Sequence, residues 1–131
     1  MPTPTGHDRN AEQITYWNGP GGQHWADRQQ TQDVVLAPVS EVLIDRARAG
    51  TRERVIDIGC GCGATTFAFA DKVGPTGHML GVDVSAPMLA HACASGRIGR
   101  ARACRRDGAC VCARELRPAG LALRGDVLCR A

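Results

Sequence analysis

Between Ala26 and Ala49 apolar residues recur at spacings of three and four, at Val34, Val35, Pro38, Val39, Val42, Leu43, Ile44 and Ala47. This predicts a helix, or a helix pair bent near Pro38, with one buried face. Upstream, a short helix is expected over Arg9 to Tyr16, a break at NGPGG (18–22) and a resumption near His24, because proline and glycine together interrupt a helix. AGTRE at 49–53 closes this region. The period then changes. RVIDI (54–58) is a β-branched run ending in glycines, which predicts a buried strand entering a tight loop. ATTFAFADKV (64–73) has the composition of a helix and is stopped by GPTG. HMLGVDVS (78–85) predicts a second strand, and SAPMLAHACA (85–94) a second helix with Ser85 as N-cap and Pro87 in its first turn. Strand, helix, strand and helix in succession form a βαβ unit, hence an α/β fold with a parallel sheet and a right-handed crossover.

Charge divides the chain where this pattern ends. The net charge is +3, but residues 1–93 hold seven Lys/Arg and ten Asp/Glu, a net −3, while residues 94–131 hold nine Arg and three acids, a net +6. Of the seven cysteines only Cys60 and Cys62 precede position 93. An odd cysteine number without a secretion signal argues against a disulfide framework. No run of 18 apolar residues exists, so no membrane span is expected, and the cytoplasm is the default compartment.

The glycine loop carries the chemistry. Gly59, Gly61 and Gly63 fall where a parallel strand turns into a helix N-terminus, the place where backbone can approach a ligand closely. Gly59, Gly61 and Ala64 can be fitted to the dinucleotide pattern G-x-G-x-x-G/A. Asp57, two residues before the first glycine, would repel a pyrophosphate, which favours a ligand with a positive group there. VIDIGCGCGA resembles the first motif of class I S-adenosylmethionine-dependent methyltransferases, D/E-x-G-x-G-x-G. GVDVSAPMLAHA resembles that family's second motif, an acidic residue ending strand two before a short helix. Asp83 follows Gly63 by twenty residues, the distance one helix and a return strand require. YWNGPGGQHWADRQQ and LAPVSEVLI resemble, less specifically, the leader of the ubiquinone/menaquinone-type small-molecule group. The resemblance covers about residues 12 to 93.

The resemblance implies a Rossmann-like class I methyltransferase fold and S-adenosylmethionine as cofactor. Gly59, Cys60, Gly61 and Gly63 would line its methionine and ribose portion, and Asp57 would help hold the amino end. Asp83 would accept hydrogen bonds from the ribose hydroxyls, and Val84, Ser85 or Met88 would border the adenine. Structural readings stand beside these: Asp57 as a carboxylate capping the loop, Asp83 as an N-cap, Cys60 and Cys62 as small loop fillers. Tyr16, Trp17 and Trp25 read first as packing residues and second as a lid. His7, His24, His78 and His91 have no metal spacing, and Cys104, Cys110, Cys112 and Cys129 lack paired C-x-x-C spacing, so no metal site is expected. Arg97, Arg100, Arg102, Arg105 and Arg106 would form a basic patch if helical, a non-specific nucleic-acid surface at most.

The organisation expected is a helical leader over 1–25, the N-terminal part of a cofactor-binding domain over 26–93, and an Arg/Cys-rich tail over 94–131. GLAL and DVLC in the tail could be short strands. The tail has no aromatic residue and only three β-branched ones, Ile98, Val111 and Val127. With one lysine against fifteen arginines in the whole chain, it reads as a shifted frame of a GC-rich gene or otherwise non-homologous sequence. The family's sheet resembles seven strands with the first flanked by the second and fourth, so a truncated fold with an open edge at RVIDI is expected. The function implied is methyl transfer to a small-molecule acceptor, weak or absent in this chain alone, with no catalytic residue assignable. The alternatives are a non-catalytic S-adenosylmethionine-binding module and an NAD-dependent oxidoreductase fragment.

Overall fold

A computed structural model describes residues 6–95, 101–103 and 110–115, with side chains over 10–95. In chain order these form α1 (Gly6–Trp17), α2 (Pro20–Asp27), α3 (Gln29–Ala47), β1 (Arg54–Ile58), α4 (Ala64–Val73), β2 (His78–Asp83), α5 (Ala86–Ala94), β3 (Ala101–Ala103) and β4 (Cys110–Glu115). β1 and β2 are parallel, with Arg54 opposite His78 and Ile58 opposite Val82. With α4 between them they make the βαβ unit of a Rossmann-like α/β fold. Gly63 and Gly74 cap α4 at its two ends, and Ser85 caps α5 by accepting a 3.4 Å hydrogen bond from the Met88 amide.

Alternation along the two strands separates the faces of the sheet. Val55 packs with Phe69, Ala70 and Met79, Asp57 bonds to the first turn of α4, and Gly81 lies against Cys60 and Thr66. That face carries the core. On the opposite face Ile56 is 56% and Ile58 80% exposed. β1 is therefore not the buried strand expected: Val55 and Asp57 on the core face are half-buried, and the other face is exposed. Among the described residues β1 is also an edge, since the sheet order is β1-β2-β4-β3.

β3 and β4 were not expected from the sequence. β4 runs antiparallel along β2, with Leu80 opposite Ala113 and Asp83 opposite Cys110, and β3 pairs antiparallel with β4. These strands owe their order to pairing on the edge of β2, a non-local cause that leaves little local pattern. Arg102 lies on β3 rather than on a helix. GLAL, DVLC, Cys104, Cys129 and the remaining arginines of the expected basic patch lie outside the described residues.

The N-terminal helices differ from expectation at three places. α2 starts at Pro20, so NGPGG interrupts the chain only at Asn18 and Gly19. Proline in the first turn is compatible with a helix because its missing N–H would have no partner there. α3 does not bury one apolar face. Val34, Val35, Val39 and Val42 are each more than half exposed, while Ala37, Ser40 and Ile44 are half-buried. Apolar positions spread round most of this helix, and packing on α4 covers only one narrow stripe of it. The turn after α3 is made by Arg48 in the left-handed region, at φ 49°, rather than by Gly50.

Candidate functional site

The loop after β1 turns through three glycines with φ of 80° at Gly59, 54° at Gly61 and 93° at Gly63, a region that side-chain-bearing residues rarely adopt. A Cβ on Gly61 would also stand 2.8 Å from Met88 Cε, so the loop is seated directly on α5. The amides of Gly59 and Cys60 both donate to the Val82 carbonyl, at 2.7 and 3.1 Å. Loop and β2 end are thus one hydrogen-bonded unit.

Asp83 completes that unit. Its Oδ2 accepts from the Gly61 amide at 2.7 Å and its Oδ1 from the Ser85 amide at 2.8 Å. A carboxylate offers about four acceptor sites, so each oxygen keeps capacity for a further donor. Asp57 has a different role: its Oδ2 accepts from the hydroxyls of Thr65 at 2.6 Å and Thr66 at 2.8 Å. It braces the first turn of α4 from within the core face of the sheet.

Two cavities flank the loop. One, of about 570 Å³, is walled by Trp17, Trp25, Ile58, Val82 and Met88 and reaches Gly59, Gly61, Asp83 and Val84. The other, of about 520 Å³, lies between α3 and the loop, with Asp33, Glu41, Cys60, Gly63 and Thr65 among its lining. They share Trp25, Gly59, Gly61 and Met88. Every residue that the resemblance implies as a cofactor ligand borders one of these cavities except Asp57 and Ser85, which border neither. The sequence reading ranked Trp17 and Trp25 as packing residues. They do pack, on the cluster of Ala26, Cys62 and Met88, and they also wall the larger cavity. Their rings stand edge to face with centroids 6.2 Å apart. Ile58 and Val82 were missed; their place at the two strand ends next to the loop was the signal available.

Cys60 and Cys62 are buried free thiols. Burial, with the carboxylates of Asp83 and then Asp57 adding to it, pushes the Cys60 thiol up to about 12. Burial and then the carboxylates of Asp33 and Asp83 push Cys62 up to about 11. Both stay protonated at neutral pH, which suits filler and not nucleophile, metal ligand or redox centre. Among the described residues no group of three His, Cys, Asp or Glu could hold a metal ion, and no helix is long and apolar enough to cross a membrane.

Comparison with known proteins finds a family match over this site. Residues 50–101 match a family described as "Methyltransferase domain". The chain is 44% identical over 57 residues to an aklanonic acid methyltransferase of Streptomyces sp. (strain C5), a stretch covering 44% of this chain and 26% of that protein. It is 38% identical over 52 residues to a nocamycin O-methyltransferase of Saccharothrix syringae, covering 40% and 19%. An arsenite methyltransferase of Halobacterium salinarum is 45% identical over 40 residues, covering 30% of this chain and 10% of that protein. The chain therefore spans about a quarter or less of the length of these relatives. No solved structure matches it. The βαβ unit, the three-glycine loop and the aspartate at the end of β2 lie on the stretch that matches the methyltransferase domain, and this segment is similar to the class I S-adenosylmethionine-dependent methyltransferases.

Proposed function

We propose that the chain is the cofactor-binding part of an enzyme that transfers a methyl group from S-adenosylmethionine to a small molecule. The observation that carries this reading is Asp83. Its two oxygens are oriented by the Gly61 and Ser85 amides, at the rim of a cavity walled by two tryptophans and a methionine. The residues present fit the cofactor. The cavity lies within the range of about 300–1,000 Å³ typical of small-molecule sites. Among the described residues no Lys or Arg lines either cavity, while Asp83 lines one and Asp33 and Glu41 the other. Such a lining suits a cationic, phosphate-free ligand and disfavours the pyrophosphate of NAD.

When bound, S-adenosylmethionine supplies a methyl group already activated by the sulfonium charge. The protein's task is then alignment and exclusion of water. Asp83 fixes the ribose through its hydroxyls, and Val84 and Met88 border the adenine. The backbone of Gly59, Cys60, Gly61 and Gly63 runs beside the methionyl portion. Trp17 and Trp25, packed on Cys62 and Met88, would keep water from the site. Asp57 acts one step away by holding Thr65, which lines the second cavity. That cavity shares Trp25, Gly59, Gly61 and Met88 with the first and would hold the small-molecule acceptor beside the cofactor.

A non-catalytic adenosyl-binding module is the second reading, favoured by the unpaired outer edge of β1 among the described residues. A cytoplasmic setting is part of either reading, in keeping with two free cysteines in the loop. The family match extends to residue 101, past the change of composition at 94, so a non-homologous tail is proposed only for the residues beyond it. Calorimetry on the chain with S-adenosylmethionine, S-adenosylhomocysteine and NAD tests the assignment. Binding of the two adenosyl ligands in preference to NAD supports it. No heat at about 1 mM ligand refutes it, since that concentration detects even an affinity of about −4 kcal/mol. Binding without transfer to any acceptor favours the module.

A further inference from the structure

We infer that Asn18 is a positioning residue for the adenosyl site: its side-chain amide latches the α1–α2 turn onto the β2–α5 turn and so holds the Trp17–Trp25 wall against Asp83. The inference rests on the cofactor assignment above for its consequence, but the latch itself is a matter of geometry.

Asn18 follows the last residue of α1. Its Nδ2 donates to the carbonyls of Ile14 at 2.8 Å and Val84 at 2.7 Å, and its Oδ1 accepts from the Ala86 amide at 2.9 Å. Three of the four hydrogen-bonding positions of the amide are filled, two of them by residues more than sixty positions away in the chain. Between those two, Ser85 donates its hydroxyl to the Trp17 carbonyl at 2.7 Å and its amide to Asp83 at 2.8 Å. The three residues after Asp83 are therefore each bonded either to the α1–α2 turn or to Asp83 itself, and Ser85 is bonded to both.

The contact is close as well as bonded. A Cβ on Gly22 would lie 1.9 Å from the Trp17 carbonyl oxygen and 2.5 Å from Ser85 Oγ, so a bare backbone is required there. Across this junction the indole of Trp17, adjacent to Asn18, forms one wall of the larger cavity together with Trp25. Asn18 lines neither cavity. It acts through Trp17 on one side and the Val84–Ala86 turn on the other.

The chemistry is specific to asparagine. Aspartate has the same shape, but would set a carboxylate oxygen against the carbonyls of Val84 and Ile14 in place of a donor. A residue serving only to fill space or to close α1 would accept that change; the latch would not.

The test uses the full chain with Asn18→Ala and Asn18→Asp. Trp17 and Trp25 are its only two tryptophans, so aromatic circular dichroism reports directly on their edge-to-face pair. Calorimetry with S-adenosylhomocysteine reports on the site. Both variants are expected to lose the tryptophan couplet and to weaken ligand binding by about tenfold or more, with Asn18→Asp at least as damaging as Asn18→Ala and far-ultraviolet dichroism retained. Gly22→Ala, which pries the same junction apart from the opposite side, is expected to lose the couplet too. Should Asn18→Asp fail to fold, Asn18→Ala and Gly22→Ala carry the test. A native couplet and native affinity in Asn18→Ala overturn the inference. If the unmodified chain binds no S-adenosylhomocysteine, the cofactor assignment falls, and the couplet then decides the latch alone.

Discussion

The Gly61 amide and the Asp83 carboxylate, 22 residues apart in sequence, meet at 2.7 Å and join the glycine loop to the end of β2. A ligand that takes up the remaining acceptor sites of Asp83 therefore reads the loop and the strand together. Asp83→Ala removes both the anchor and the ribose acceptor. Hydrogen bonds to charged groups contribute about 1.5–3 kcal/mol, so affinity for S-adenosylmethionine is expected to fall roughly 10- to 150-fold by calorimetry. Asp83→Asn keeps one acceptor oxygen and is expected to fall between the two.

Asp57 is expected to matter more for stability than for affinity. Its carboxylate accepts the Thr65 and Thr66 hydroxyls, and Thr66 is 2% exposed. Asp57→Ala leaves a buried hydroxyl without its acceptor, at a cost of about 1–3 kcal/mol. Urea unfolding should show the unfolding free energy falling by that amount and the midpoint falling with it, with Asp57→Asn losing less. A larger effect on ligand affinity than on the midpoint would instead return Asp57 to the role of direct cofactor ligand.

What the sequence made visible was what local pattern determines. α4 coincides with ATTFAFADKV, β1 with RVIDI, and Ser85 caps α5, because glycine, β-branching and an N-cap act within a few residues of themselves. The glycine loop and Asp83 were readable for the same reason. Asp57 was placed correctly on β1, but its bonds run to α4 rather than into a cavity, a choice made by side-chain direction across the strand. The apolar spacing of α3 suggested burial that its limited packing on α2 and α4 does not provide. β4 and the Asn18 junction depend on partners in β2 and in the turn after it, and nothing next to them in the chain announces those partners.

The uncovered face of the sheet has a measurable consequence. Ile56 and Ile58 present apolar side chains to solvent on a strand whose outer edge is unpaired among the described residues. Such an edge recruits further strands. The chain is expected to self-associate on concentration, and Ile56→Lys with Ile58→Lys to suppress this in light scattering. Because both side chains are exposed, the substitutions should change folding stability by less than about 0.5 kcal/mol. Equal scattering from the two proteins would locate the association elsewhere.

Alkaline pH should loosen the loop through its two thiols. Cys60 is pushed up to about 12 and Cys62 to about 11 in the folded chain, chiefly by burial, whereas an unfolded thiol ionises near its ordinary value of about 8.5. Above that value the unfolded state releases protons that the folded state retains, so it binds fewer protons and stability falls as pH rises. The contribution is fully present below about pH 8.5 and is lost progressively toward about pH 11 for Cys62 and about pH 12 for Cys60. Each thiol steepens the decline by up to about 1.4 kcal/mol per pH unit within its window. Urea unfolding at a series of pH values between about 8 and 11 should show this slope, reduced in Cys60→Ala and again in the variant that also carries Cys62→Ala. Slopes rather than midpoints are the quantity to compare, because Cys60 also packs against Leu89 and Ala92, and its truncation costs stability at every pH. An unchanged slope in the double variant would mean that both thiols ionise as readily in the folded chain as in the unfolded one.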